Sequence, residues 1–87
     1  MNYTVLWTAE AERKLTLLWM QSKDRQSITS AVNFIDQLLS QHPESLGTVN
    51  FDTVRTFTWQ LVGVEFEVIE ADRIVYVLGV WATYLKS

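Results

Sequence analysis

Few residues of this chain of 87 residues are of types that do chemistry. It has one histidine, His42, and no cysteine, so carboxylates are the only other side chains that could complete a metal site. The acidic residues follow no known metal-binding spacing. Gly47, Gly63 and Gly79 are isolated from one another and form no phosphate-binding loop. We therefore expect no metal and no cofactor.

Arg55 is the one cation in a long acidic segment. Residues 43–72 contain six acidic residues and this one basic residue, a net charge of −5, whereas the whole chain carries −3. In a strand, Arg55 would share one side with Phe51, Phe57 and Trp59. Two interpretations follow: an arginine that stacks on an aromatic ring or pairs with a neighbouring glutamate, or one that contacts an anion or a partner protein.

Aromatic side chains supply the second group of candidates. Trp59 and Trp81 lie at the ends of predicted strands, where an apolar ring with a polar N–H suits a half-exposed contact. We therefore predict a partner-binding surface that contains Arg55, Phe57, Trp59 and Trp81. Trp7 and Trp19, by contrast, lie on apolar stripes and are expected in the core.

Two helices must support these residues. Residues 3–7 alternate as a short strand, and Thr8 then offers a helix N-cap. Apolar residues at helical spacing predict that both helices pack on one face of a sheet, and Pro43 ends the second helix. The residues expected at that contact are Leu15, Leu18, Trp19, Val32, Ile35 and Leu39.

The second half of the chain predicts strands. Residues 43–50 resemble a loop, and strands are expected at 51–59, 61–69 and 74–81. The last of these has apolar residues at both its odd and its even positions, which predicts an interior strand covered on both faces. The order β-α-α-β-β-β predicts a single α+β domain over residues 1–87, with a mainly antiparallel sheet.

Charge and hydropathy limit the surroundings in which the protein acts. The sequence contains no cluster of cations and has a pI near 4.9, which argues against direct binding of nucleic acid. No targeting segment is recognisable, and the longest apolar run, residues 74–82, is far shorter than the roughly 20 residues of a membrane span. We expect a cytoplasmic protein that does not contact membranes.

The ordered motifs resemble the RelE/ParE superfamily of bacterial toxins, which includes plasmid-stabilisation systems. The similarity spans roughly residues 2–82 and rests on the opening strand and acidic helix, the helical hairpin, and the strands that follow. These segments are Tyr3–Glu12, the hairpin up to Ser40–Pro43, Val54-Arg55, Gly63–Ile69 and Asp72–Trp81. The resemblance implies the β-α-α-β-β-β fold and a toxin that a cognate antitoxin holds inactive.

The resemblance also suggests targets and site residues. Some members cleave mRNA on the ribosome, and others inhibit DNA gyrase. Arg55 matches the arginine that many members carry after the helical hairpin, and Tyr84 and Lys86 are the candidates at the family's basic tail. At the next strand, Glu65 occupies the position where the family commonly has arginine.

We therefore expect a toxin-type module that acts through protein–protein contacts, either ParE-like and directed at gyrase or no longer toxic. Two alternatives stay open: a ribosome-dependent mRNA interferase, and a non-catalytic oligomerisation or scaffold domain. The expected partner is the antitoxin, and a homodimer would use the same apolar surface.

Overall fold

The computed structural model describes residues 2–83 and has an α+β fold, as predicted. Two helices pack on a five-stranded sheet of order β1-β5-β4-β3-β2, in which only β1 and β5 are parallel. The elements are β1 Thr4–Trp7, α1 Ala9–Gln21, α2 Arg25–Gln41, β2 Thr48–Phe51, β3 Val54–Trp59, β4 Val62–Ile69 and β5 Ile74–Ala82. Short 3-10 turns occupy Pro43–Ser45 and Glu70–Asp72.

Side chains that cap the backbone define where both helices begin. The Thr8 hydroxyl accepts a hydrogen bond from the backbone N–H of Ala11 at 3.1 Å, which starts α1. Asp24 starts α2, since its carboxylate accepts from the backbone N–H and the hydroxyl of Ser27 at 3.1 and 2.6 Å. These bonds lower the pKa of the Asp24 carboxyl. Each cap satisfies a backbone donor that has no partner inside its helix.

Both helices cover the same face of the sheet, here called the helix-side face. Ala11 and Leu18 of α1 and Ile35 of α2 are buried in one apolar cluster with strand residues. The strand residues in this cluster are Tyr3, Val62, Val64, Phe66, Val75, Val77 and Val80. The prediction that the helices share one face is therefore confirmed, including the burial of Leu18, Ile35 and Leu39.

Two expectations about burial were wrong. Trp19 is 41% exposed, because its indole lies between the helices, where it donates to the Thr29 hydroxyl at 3.1 Å and lies under the Arg25 guanidinium. Strand β5 is interior to the sheet, as expected, but the helices cover only one of its faces. Its other face carries the exposed Tyr76 and Trp81.

A β-bulge explains why β5 looked apolar on both parities. Val77 pairs with Phe66 and Gly79 pairs with Glu65, so Leu78 is an extra residue in β5. The extra residue reverses the alternation. Val75 and Val77 before the bulge and Val80 after it therefore all face the helices.

Strand β2 lies in a segment for which the sequence predicted mostly loop, and it ends at Phe51, which the sequence placed in one strand with Arg55. All four of its residues are exposed, so no burial pattern marks it. It pairs with β3 through a tight turn in which Asp52 has a φ of 52°. At its start, Gly47 has a φ of 62°, and a Cβ there would lie 1.8 Å from the Thr56 carbonyl oxygen. Only glycine allows this close approach.

Among residues 2–83, no helix is both long enough and apolar enough to cross a lipid bilayer.

Candidate functional site

Arg55 lies on the helix-side face of β3, opposite Phe66 of β4 and Val49 of β2. Its side chain is half-buried, and its Nε donates a hydrogen bond to the Leu46 carbonyl oxygen at 3.0 Å. This contact ties the segment before β2 to the middle of β3. The structural interpretation of Arg55 expected an aromatic ring or a glutamate as its partner. The acceptor of this hydrogen bond is instead a backbone carbonyl.

Phe57 and Trp59 follow Arg55 on the same face, because alternate residues of β3 point the same way. Trp59 is 38% exposed, and its ring lies 4.6 Å from that of Phe34 in α2, with the planes tilted by 37°. Phe57 is half-buried against the core. Phe34, Phe57 and Trp59 form an aromatic surface at the outer border of the helix layer. The sequence does not mark Phe34 as part of this surface, because the residue lies off the apolar stripe of its helix.

The aromatic surface adjoins an unpaired strand edge. Strand β2 pairs with β3 only at Val54, Arg55 and Thr56. Within the described part of the chain, no strand therefore pairs with residues 57–59 at this edge, although Gly47 lies beside the backbone of Phe57. An open cleft of about 340 Å³ lies here, lined by Gly47, Thr48, Thr56, Phe57 and Thr58. None of these residues is titratable, so the cleft provides backbone groups and hydroxyls rather than catalytic acids or bases.

Trp81 is separated from the other three predicted partner residues. It lies on the open face of the sheet, opposite the helices, and pairs with Gly63. A Cβ at Gly63 would lie 2.4 Å from Cε2 of the Trp81 indole, so the ring lies directly against this glycine. Trp81 is 40% exposed. The structure thus brings Arg55, Phe57 and Trp59 together and places Trp81 on another surface. Tyr84 and Lys86 lie outside the described residues.

The open face carries acidic rather than basic side chains near its centre. Glu65 and Glu67 both point to this face from β4. Glu65 accepts a hydrogen bond from the Asn50 amide at 3.3 Å, and Glu67 accepts one from the Thr53 hydroxyl at 2.7 Å. Within residues 2–83, no ion pair involves either carboxylate. No group of three or more potential ligands in this part of the chain could hold a metal ion.

A further polar cluster joins the start of β1 to the two 3-10 turns. The buried Tyr3 hydroxyl donates to both carboxylate oxygens of Glu70, at 2.7 and 2.9 Å. The Arg73 guanidinium lies 5.0 Å from the Tyr3 ring centroid and 4.0 Å from a Glu70 oxygen. Sequence analysis could not find this cluster, because Tyr3 and Glu70 are 67 residues apart.

Glu44 and Glu70 of this cluster shift each other's pKa. The hydrogen bond between Glu44 and Glu70 raises the pKa of the Glu44 carboxyl and lowers that of Glu70. The bond from Tyr3 to Glu70, with burial, raises the pKa of the Tyr3 hydroxyl to about 12. Glu44 is thus the group that takes up a proton first as the pH falls.

Comparison with solved structures identifies the fold. A chain of the toxin–antitoxin complex RelBE2 from Mycobacterium tuberculosis matches with a TM-score of 0.77 and 20% identity, over 94% of this chain and 99% of that one. A variant of the E. coli toxin RelE in the free state matches with a TM-score of 0.70 and 14% identity, over 99% of this chain and 88% of that one. A chain of the chromosomal ParDE system from P. aeruginosa matches with a TM-score of 0.68 and 19% identity, over 92% of this chain and 95% of that one.

The chain therefore has the RelE/ParE-like toxin fold. Several of its structural neighbours come from toxin–antitoxin systems, and two of these structures are complexes of a toxin with an antitoxin or an antitoxin peptide. Comparison of the sequence with protein-family models and with curated proteins gives no match.

Proposed function

We propose that this chain is the toxin-type component of a type II toxin–antitoxin pair and acts through protein–protein contacts in the bacterial cytoplasm. The observation that carries the proposal is the unpaired edge of β3 at residues 57–59 beside the exposed aromatic surface. A partner could add a strand at this edge and cover the aromatic rings, which are two recurring modes of peptide recognition. The toxin–antitoxin complexes among the structural neighbours support a protein partner of this kind.

Charge supports a ParE-like or non-toxic module over an RNA-cleaving enzyme. RNA cleavage needs cations that stabilise the negative charge developing on phosphate. On the open face, the described charges near the centre are those of Glu65 and Glu67. Arg55 lies on the other face and is already bonded to the Leu46 carbonyl. A target such as DNA gyrase would instead be contacted as a protein.

The mRNA interferase stays the second candidate, because a RelE toxin is among the structural neighbours. Its active site would have to use Arg55 with Tyr84 and Lys86.

The test begins with the open reading frame next to the gene. Its product should copurify with this chain, and the chain expressed alone should arrest growth if it is ParE-like. Trp59→Ala should weaken the complex by about tenfold or more, because a central aromatic anchor contributes about 1–3 kcal/mol.

Trp19→Ala is the matched control. Trp19 is 41% exposed and Trp59 is 38% exposed, yet Trp19 lies at the helix pair away from β3. We expect Trp19→Ala to leave affinity within about twofold, since isolated exposed contacts contribute little. Equal losses in the two variants, or no binding by the neighbouring product, would contradict the proposal.

A further inference from the structure

The hairpin between β3 and β4 determines which backbone groups of β3 point away from the sheet. Its loop contains Gln60 and Leu61, between the paired residues Trp59 and Val62. In such a two-residue hairpin, the residues that flank the loop exchange both of their backbone hydrogen bonds, and hydrogen-bonded pairs then alternate with non-hydrogen-bonded pairs along the ladder. The N–H and C=O of Thr58 therefore point away from β4.

Thr58 differs from the other outward-pointing residues of β3, because no strand among residues 2–83 pairs with it on the side away from β4. Val54 and Thr56 also point their backbone groups outward, and β2 pairs with both through Phe51 and Thr48. Thr58 is exposed, and within the described part of the chain no hydrogen bond reaches its N–H or its C=O. A backbone donor and a backbone acceptor thus lie open side by side next to the cleft.

The side chains around this open position are aromatic on one face of the sheet and hydroxyl-bearing on the other. Phe57 and Trp59 flank Thr58 on the helix-side face, where the Phe34 ring lies 4.6 Å from that of Trp59. Thr56 and Thr58 point to the open face. A strand that paired with Thr58 would place alternate side chains against these two surfaces.

A second copy of this chain does not fit here through symmetric pairing of two β3 edges. In an antiparallel pair centred on Thr58 of both copies, Gln60 of the second copy would lie opposite Thr56 of the first. Thr48 already pairs with Thr56, and the adjacent Gly47 approaches the Thr56 carbonyl so closely that a Cβ would lie 1.8 Å from its oxygen. The occupant must therefore be a segment that is extended only beside residues 57–59 and then leaves the edge.

We infer that Thr58 holds an extended segment of the protein partner through two backbone hydrogen bonds, with apolar side chains of that segment against Phe57 and Trp59. The Thr58 N–H donates to a carbonyl oxygen of the segment, and the Thr58 carbonyl oxygen accepts from one of its N–H groups. The residues that line the cleft are uncharged, so recognition depends on the backbone and the apolar side chains of the segment. The inference rests on the proposed function, since it assumes a partner protein at this edge.

Hydrogen exchange of the Thr58 amide tests this pairing in the wild-type protein. The probe is the product of the open reading frame next to the gene, added to nitrogen-15-labelled protein. In the free protein, the Thr58 amide should exchange at nearly the unprotected rate. In the complex it should exchange at least about tenfold more slowly, because a hydrogen-bonded amide exchanges only when its bond opens.

Thr58→Pro removes the outward N–H and leaves the bonds to β4 intact, since proline is tolerated where a strand N–H faces solvent. It should weaken the complex about tenfold, because a carbonyl of the partner loses its donor. Val49→Pro is the matched control. Val49 is 57% exposed and forms a non-hydrogen-bonded pair with Arg55, so its N–H points away from β3 at the outer edge of β2. Its affinity should stay within about twofold of the wild type.

The outcomes separate this inference from the proposed function. Binding of the product with an unprotected Thr58 amide would overturn the inference alone, whereas no binding would overturn both. Equal losses in the two proline variants would place the partner at the edge of β2 and overturn the inference. Protection of the Thr58 amide in the free protein, whether at low concentration or only in a dimer of this chain, would also overturn it. The exchange measurement needs no variant, so it decides the question even if Thr58→Pro does not fold.

Discussion

Arg55 and Glu65 lie on adjacent strands but on opposite faces of the sheet, and this separation limits what each residue can contact. Arg55 bonds to the Leu46 carbonyl on the helix side, and the Glu65 carboxylate stays on the open face. Neither charge neutralises the other. The arginine thus holds the segment before β2, and the glutamate contributes negative charge to the open face.

Glu44 and Glu70 predict a pH dependence at the scale of single residues. The lowered pKa values of Glu70 and Asp24 provide stabilisation that is present above their unfolded-state pKa values and is lost as the pH falls. The contribution of Glu44 to stability depends on pH in the opposite direction. Its raised pKa gives a contribution that is full below the unfolded-state value and is lost as the pH rises through the folded-state value.

Glu44→Gln should therefore stabilise the protein at neutral pH. The amide can donate to Glu70 at every pH, and it removes the repulsion between two ionised carboxylates. Urea unfolding should show a higher midpoint than the wild type at about pH 7.5, and the difference should shrink as the pH falls below the ordinary glutamate range, because Glu44 is then protonated.

Leu17→Ala changes an exposed position of α1 without removing a charge, so it provides the control, and its difference from the wild type should be the same at both ends of this pH range. A lower midpoint for Glu44→Gln at neutral pH, or a difference that does not vary with pH, would contradict the raised pKa of Glu44.

Helix α2 contributes three fully buried side chains to the core, Ile28, Ile35 and Leu39. Another side of the same helix carries Phe34, whose ring contacts Trp59. One element therefore packs the core with one side and holds the aromatic surface with another. Damage to its buried side should lower the stability of the fold.

Ile35→Ala should reduce the free energy of unfolding by about 2–5 kcal/mol, because the side chain is 0% exposed and its removal leaves a cavity. Leu17→Ala, at a position on α1 that is 50% exposed, should cost less than about 0.5 kcal/mol. Chemical denaturation of both variants measures the difference. A cost below about 1 kcal/mol for Ile35→Ala would be inconsistent with this core.

The whole molecule carries a net charge of −3, whereas residues 43–72 alone carry −5. This segment contains β2, β3 and β4, which form more than half of the sheet. An anionic substrate would approach against that field. The overall charge therefore favours protein targets over RNA.

We accordingly predict that the purified protein leaves ribosome-bound mRNA uncut. Loss of one cation that stabilises the transition state typically lowers the rate about 10²–10³-fold. Gel analysis of the message provides the measurement. Cleavage in the ribosomal A site that disappears in Arg55→Ala would contradict this prediction and favour the interferase.

Local patterns in the sequence determined the order of the helices and three of the later strands, both helix caps and the acidic segment. These features depend on residues a few positions apart, so periodicity and capping chemistry reveal them. Arg55, Phe57 and Trp59 could likewise be placed on one side of a strand, because side chains alternate along any strand.

Only the tertiary structure decided the features that depend on pairing between distant segments. Strand β2 exists because β3 pairs with it, and its exposed residues leave no periodic signal. The bulge at Leu78 reverses the faces of β5 and sends Trp81 to the surface opposite Trp59. Register, bulges and contacts such as that of Tyr3 with Glu70 arise from packing over long sequence separations, which no local pattern encodes.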